Sequence, residues 1–157
     1  MRSLLACSIA ALLGLTTTDA RKAQCTLRAH AEANPNDGES FSSQLRSSVT
    51  GKNIVIEKVP AISENDVVAF RPYSARDGSL GVLFQLNDHG KLALDTLSID
   101  RRGRYLYVFV NGRPMAELQI DRRVSDGKLY IPSGLVAADI ELMKKQWPVI
   151  GAPKRRR

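Results

Sequence analysis

The feature that most constrains the fold is an Asn-Gly dipeptide between two runs of strand-forming residues. Asn111-Gly112 separates residues 104–110 from residues 114–120. Both central positions of a type I′ turn need a positive φ, which asparagine and glycine adopt most readily. The pattern predicts an antiparallel hairpin. Pro114 has no N–H to donate, so the second strand is expected to begin at a sheet edge.

The first strand of this hairpin is apolar on both faces. Along residues 105–110, tyrosine or phenylalanine alternates with leucine or valine. Such a strand is typical of a sheet interior, since both of its faces need cover from water. We therefore expect amphipathic helices to cover it, and we predict a buried strand rather than an open platform of aromatic rings.

Other segments have the composition of strands between turn residues. They are residues 26–32, 53–59, 80–86 and 129–131. Residues 80–86 are apolar on both faces, which indicates a second central strand. The serine-rich residues 41–49 are predicted to be irregular or to form a short strand.

The strongest helix signal lies near the C-terminus. Apolar side chains recur at helical spacing at Val136, Ile140, Met143 and Trp147. Glu141 and Lys145 are predicted to pair at i,i+4, and Pro148 is expected to end the helix.

Two further helix starts are indicated. Asp88 is expected to cap a helix that runs to about Ser98, with Leu94 and Leu97 facing inward. The run Ser63-Glu64-Asn65-Asp66 predicts a short helix that buries Val67, Val68 and Phe70. The alternative is a strand through the β-branched pair Val67-Val68.

These elements predict an α+β fold: a single small domain over residues 21–150, with a mostly antiparallel sheet and two packed helices. No internal repeat is visible.

The N-terminus has the pattern of a secretory signal peptide over residues 1–20. Arg2 precedes an apolar run from Leu4 to Leu15, and small residues permit cleavage after Ala20. The run is too short for a durable membrane anchor. We predict an exported chain, periplasmic or extracellular, with no stable membrane insertion once mature. The alternative is an N-terminal helix packed on the domain.

Cleavage after Ala20 would leave Cys25 as the single cysteine, because Cys7 is removed. No intramolecular disulfide is then possible, so burial and backbone pairing must stabilise the fold. Cys25 is interpreted as a small apolar residue, and a reactive thiol or an intermolecular bridge is the alternative.

The net charge of +7 is concentrated at the C-terminus. Residues 151–157 form a basic tail in which Lys154, Arg155, Arg156 and Arg157 supply four of the seven charges. This tail is a candidate for electrostatic contacts. Export argues against nucleic acid as a partner.

No catalytic, metal or cofactor site is predicted. The chain has two histidines, and neither His30 nor His89 has a second ligand at metal spacing. His89 beside Asp88 could serve acid–base chemistry, but a solvated pair at a helix start is the favoured interpretation. The acidic residues are predicted to lie in turns, caps or exposed strand faces. The glycines form no phosphate-binding or dinucleotide-binding motif.

From Val82 to Trp147 the order of elements resembles the head subdomain of the first periplasmic domain of SecD, a subunit of the protein-export machinery. The matching pieces are residues 81–86, the helix near Gly90-Lys91-Leu92, residues 106–112 with 115–120, and residues 126–134 before the last helix. Residues 62–67 resemble the lead-in to that subdomain. The resemblance implies a ferredoxin-like or related α+β domain that makes contacts and carries no catalytic residues. Residues 21–157 contain no counterpart of the transmembrane array of SecD.

Three functional hypotheses follow. The first is a non-enzymatic exported module that contacts another protein, polypeptide or envelope component, with the edge strand at residues 115–120 available for strand addition. The second is a periplasmic protein that binds a small ligand between sheet and helices. The third is a small enzyme that uses Asp88, His89 or Cys25.

Overall fold

The structure, a computed structural model, describes residues 24–152. Their elements are β1 (Leu27–Ala31), β2 (Ser42–Arg46), β3 (Asn53–Glu57), β4 (Ile62–Ser63), β5 (Val67–Ser74), β6 (Leu80–Leu86), α1 (Asp88–Asp100), β7 (Tyr105–Val110), β8 (Arg113–Gln119), β9 (Lys128–Leu135) and α2 (Ala137–Gln146). The predicted signal peptide (1–20), its cleavage after Ala20, and the basic residues Lys154, Arg155, Arg156 and Arg157 lie outside the described residues.

The hairpin predicted from Asn111-Gly112 organises the first sheet. Strands β7 and β8 pair antiparallel, and φ is 51° at Asn111 and 74° at Gly112, as the tight turn requires. Sheet 1 has the order β4-β1-β7-β8. The predictions that β7 is an interior strand and that β8 lies at an edge are therefore confirmed.

A second sheet has the order β5-β6-β9, and β6 is its central strand, as predicted. The predicted helix after Ser63 is wrong. A single 3-10 turn at Glu64–Asp66 leads directly into β5. The alternative strand forms because Val67 and Val68 are β-branched and because Pro72 would disrupt a helix. Pro72 is tolerated in β5 because β5 is an edge strand.

The two helices lie where the sequence placed them, with differences at their ends. The side chain of Asn87, rather than Asp88, caps α1 by accepting a hydrogen bond from the Gly90 N–H at 2.8 Å. Ile140, Met143 and Trp147 are buried, but Val136 is 51% exposed. Val136 is the N-cap of α2 and has extended backbone angles, so it does not follow the helical period.

The predicted ion pair on α2 is also different. Glu141 accepts a hydrogen bond from Lys144 at 2.7 Å, an i,i+3 pair, rather than from Lys145. The contact lies on the surface, so either pairing contributes little to stability.

Both sheets and both helices share one hydrophobic core. Its aromatic centre is Trp147, whose ring lies edge-on to Phe84 at 5.8 Å and to Phe70 at 6.5 Å between ring centroids. Cys25 is fully buried in this core, as its interpretation as an apolar residue requires. Aromatic packing therefore joins the end of α2 to sheet 2.

A hairpin, rather than a helix, covers the second face of β7. Strands β2 and β3 pair antiparallel and form what we call the cover hairpin, which lies against the outer face of sheet 1. It is held by the bond from the Ala33 N–H to the Val55 carbonyl and by the Glu117 carboxylate, which accepts hydrogen bonds from Ser47 and Ser48. Tyr107 is buried beneath it. The expectation that only helices cover β7 is corrected, since the serine-rich segment supplies this layer.

Candidate functional site

A cavity lies between the neighbouring edges of the two sheets. Strands β8 and β9 approach each other near Met115 and Gly134, where a Cβ added to Gly134 would lie 3.3 Å from Met115 Cε. The cavity opens at the other end of the strands, between Leu118 and Tyr130. We call it the edge groove; its volume is about 580 Å³. That volume lies within the range of ligand-binding clefts.

The edge groove has an apolar floor and a charged rim. Its floor is formed by side chains of α1, β7, β8 and β9 and of the residue that follows β8: Leu97, Leu106, Leu118, Ile120 and Leu129. Its rim carries Asp121, Arg122, Arg123, Asp126 and Lys128. A floor and rim of this kind suit an occupant that has apolar side chains and an exposed polar backbone.

Backbone N–H and C=O groups of β8 point toward the groove. The Ile120 N–H donates to the Arg104 carbonyl at 2.9 Å, so Ile120 points its polar groups toward the β7 side. Because these groups alternate along a strand, those of Gln119 point away from β7, toward the groove. Within residues 24–152, β8 pairs only with β7. An extended segment could therefore pair with β8 at this edge.

A bidentate ion pair fixes the rim to α1. The Arg123 guanidinium donates to both carboxylate oxygens of Asp95, at 2.6 and 2.7 Å. The hydroxyl of Ser98, which is itself buried, accepts the Val124 N–H at 2.9 Å. These contacts anchor the loop that follows β8, so the groove has a defined wall before any partner binds.

The acid–base candidate His89 pairs with Asp66 rather than with Asp88. Its Nδ1 lies 2.7 Å from Oδ1 of Asp66, while the other oxygen of Asp66 accepts the backbone N–H and the hydroxyl of Ser63. The Asp66 side chain is 7% exposed and that of His89 is 79% exposed. Asp66 therefore connects the 3-10 turn, through Ser63, to the first turn of α1, through His89.

Burial disfavours the charged form of Asp66, but the hydrogen bonds from Ser63 and His89 outweigh it and hold its pKa below the ordinary value of 3.8. A depressed pKa contributes stability that is complete above pH 3.8 and is lost as the pH falls through that value to the lower folded pKa. We predict that Asp66→Asn destabilises the protein at neutral pH and that this difference shrinks on acidification. Chemical denaturation at a series of pH values measures it.

The exposed Asp121 offers the matched control for this prediction. Asp121→Asn should leave the free energy of unfolding nearly unchanged at every pH, because surface substitutions of this kind have small effects. A penalty for Asp66→Asn that stays constant down to about pH 2 would contradict the ionic role of Asp66.

The remaining candidates from the sequence are dispersed. His30 lies on the outer face of sheet 1, and its Nδ1 is 2.8 Å from the Glu57 carbonyl. Burial, together with the negative charges of Asp139 and Glu64, raises the pKa of the Cys25 thiol to about 11. A thiol with that pKa is a poor nucleophile near neutral pH. The fold therefore brings His30, His89 and Cys25 into no common site.

Two acidic residues near helix starts are buried. Asp66 and Asp139 each accept a hydrogen bond from the backbone N–H of the N-cap residue of their helical segment, and both side chains are shielded from solvent. Asp139 accepts two hydrogen bonds from Arg113 at 2.6 and 2.7 Å and one from the Val136 N–H at 3.1 Å. It ties the end of the β7–β8 turn to the start of α2. Sequence spacing does not show this contact, because the two elements are distant in the chain.

Within residues 24–152, no three histidine, cysteine, aspartate or glutamate side chains cluster so that they could hold a metal ion. Neither helix of the same range is long and apolar enough to cross a lipid bilayer.

Comparisons with known proteins return structural likeness only. The sequence matches no protein-family model, and it matches no curated protein. Among solved structures, one similar chain is SecDF, described as a membrane component that enhances protein export. It has a TM-score of 0.54 and 14% identity, with 85% of this chain and 69% of that chain covered.

A second similar structure is SecDF in its super-membrane-facing form. It has a TM-score of 0.55 and 13% identity, with 79% of this chain but 19% of that chain covered. The resemblance predicted from residues 82–147 is thereby confirmed at the level of fold. The described domain is a small α+β domain with a SecD-like fold.

Proposed function

We propose that this domain is a non-enzymatic protein-contact module that holds an extended segment of a partner polypeptide in the edge groove. The observation that carries the proposal is the unpaired edge of β8 beside an apolar floor. Strand addition uses both parts: backbone hydrogen bonds provide affinity, and the pockets beside the strand select alternate side chains.

The likeness to SecDF supports this choice. SecDF is described as enhancing protein export, and its similar region shares the fold described above. A domain with this fold and an open sheet edge is suited to contact polypeptides. The fold supplies the scaffold, and the groove is the feature of this chain to which we assign the contact.

We also propose that the chain is exported and acts in the periplasm or outside the cell. The signal-like residues 1–20, with cleavage after Ala20, support this placement. The partner is then an envelope protein or a polypeptide in the same compartment. The intact mass of protein recovered from the producing cells tests the placement, and we expect a chain that begins at Arg21.

A photo-crosslinking residue at position 130 tests the groove directly. Tyr130 is 50% exposed on the groove wall, and Val136 is 51% exposed at the start of α2, outside it. We expect crosslinks to a discrete polypeptide from position 130 in the producing cells and a yield at least about fivefold lower from position 136. Equal yields at both positions would contradict the proposal.

If a partner strand pairs with β8, the backbone N–H of Gln119 should donate a hydrogen bond to it. Proline at position 119 removes the N–H that points away from β7, whereas Gln119→Ala keeps it. We expect Gln119→Pro to abolish most of the crosslink at position 130 and Gln119→Ala to preserve it. Thermal unfolding of both variants checks that the fold is retained. Preserved crosslinking in a folded proline variant would exclude pairing at this edge.

A further inference from the structure

A second cavity lies on the opposite face of sheet 1, beneath the cover hairpin. We call it the interlayer pocket; its volume is about 370 Å³. The side chains that characterise it are Arg28, His30, Gln44, Leu45, Ile56 and Phe109. The pocket is separate from the edge groove, which opens on the core side of the same sheet.

The polar side of this pocket is formed by Arg28, His30 and Gln44, and its hydrogen-bond donors are the Arg28 guanidinium and the Gln44 amide. Arg28 is exposed, and within residues 24–152 no carboxylate lies within 4 Å of its guanidinium. His30 Nδ1 faces the Glu57 carbonyl at 2.8 Å. A carbonyl oxygen can only accept, so Nδ1 carries the proton and Nε2 is the ring nitrogen left for a ligand. The Gln44 amide can donate or accept.

The apolar side of the pocket is formed by side chains that pack against one another. The rings of His30 and Phe109 meet edge to face, with centroids 5.5 Å apart. Ile56 is buried against them from the cover hairpin. The hydrogen bonds from Ser47 and Ser48 to the Glu117 carboxylate hold that hairpin in place. The walls are therefore formed before a ligand arrives, which lowers the entropic cost of binding.

We propose that the interlayer pocket binds a small carboxylate that carries a planar apolar group. The Arg28 guanidinium has the fork of donors that matches a carboxylate, and Phe109 with Leu45 and Ile56 provides surface for an aromatic ring. The size of the cavity suits a ligand with one ring. The small-ligand hypothesis from the sequence placed such a site between sheet and helices, whereas this pocket lies between sheet 1 and the cover hairpin.

Titration of the isotope-labelled protein with benzoate, followed by backbone amide chemical shifts, tests the assignment. We expect saturable shifts at Arg28, His30, Gln44 and Phe109, with a Kd of about 1 mM for so small a probe. Benzamide has the ring without the charge and acetate has the charge without the ring. Each should bind at least about fivefold more weakly than benzoate.

Matched arginine variants separate a specific site from general attraction to a basic protein. Arg28→Gln should weaken benzoate binding by at least about fivefold. Arg71→Gln, at an exposed position of β5, should leave it unchanged. Equal binding of benzamide, absence of saturable shifts, equal effects of the two substitutions, or shifts confined to the edge groove would each overturn the assignment. None of these results bears on crosslinking from position 130, so the two proposals fail separately.

Discussion

Replacing Phe84 by alanine is expected to lower the free energy of unfolding by about 3–5 kcal/mol. Phe84 is fully buried in the central strand of sheet 2, and its ring packs edge-on against Trp147 at 5.8 Å. Truncation removes the burial of a large apolar side chain and leaves a cavity between sheet 2 and the end of α2. The neighbours that line this cavity lie on two different elements, so they cannot close it without moving the sheet or the helix.

Phe41 provides the matched control for this substitution. The same change, Phe41→Ala, alters a phenylalanine that is 75% exposed and should cost less than about 0.5 kcal/mol. Urea denaturation of the two variants beside the parent protein measures both values. A loss below about 1 kcal/mol for Phe84→Ala would contradict the shared core.

Replacing Gly81 by alanine is expected to cost about 1–3 kcal/mol, although alanine usually suits a strand better than glycine. A Cβ at position 81 would lie 2.6 Å from the Pro132 carbonyl oxygen, which belongs to the backbone of β9 and cannot rotate away. It would also meet the ring of Tyr73, whose hydroxyl crosses β6 to donate to the Ile131 carbonyl at 2.9 Å. The glycine is required because a ring and a backbone pass close above it.

Gly38 serves as the control, because a Cβ there meets nothing within 4 Å and its φ is not positive. Gly38→Ala should be neutral or slightly stabilising, by up to about 1 kcal/mol. The double variant Gly81→Ala/Tyr73→Ala should remain destabilised, since the clash with the Pro132 carbonyl persists. Thermal unfolding measures all three variants. Gly81→Ala as stable as the parent would show that β9 does not approach β6 so closely.

Local patterns predicted the parts of the fold that depend on a few adjacent residues. The turn at Asn111-Gly112 follows from the positive φ that both positions need, and the central position of β6 follows from its apolar composition on both faces. The sequence did not decide the secondary structure of the segment after Ser63, because its cap residues favour a helix while Val67, Val68 and Pro72 favour a strand. Pairing of β5 with β6 decided that competition in favour of the strand.

The candidate sites could not be predicted, because each is built from residues that are far apart in the chain. The floor of the edge groove joins Leu97 of α1 to Leu129 of β9, and the interlayer pocket joins Arg28 of β1 to Gln44 of β2. His89 illustrates the same point, since its partner is Asp66 rather than the adjacent Asp88. Hydrophobic periodicity along the sequence does not show which distant residues come into contact.

The amino-acid sequence alone determined the positions of α1, α2 and the central strand β6, the β7–β8 hairpin, the edge position of β8 and the apolar character of Cys25, because turn geometry and hydrophobic period act over short distances. Only the tertiary structure decided that the serine-rich segment covers sheet 1 and that two sheet edges leave a groove between them. Those outcomes depend on which apolar faces meet, a competition among all elements of the chain that short-range preferences do not resolve.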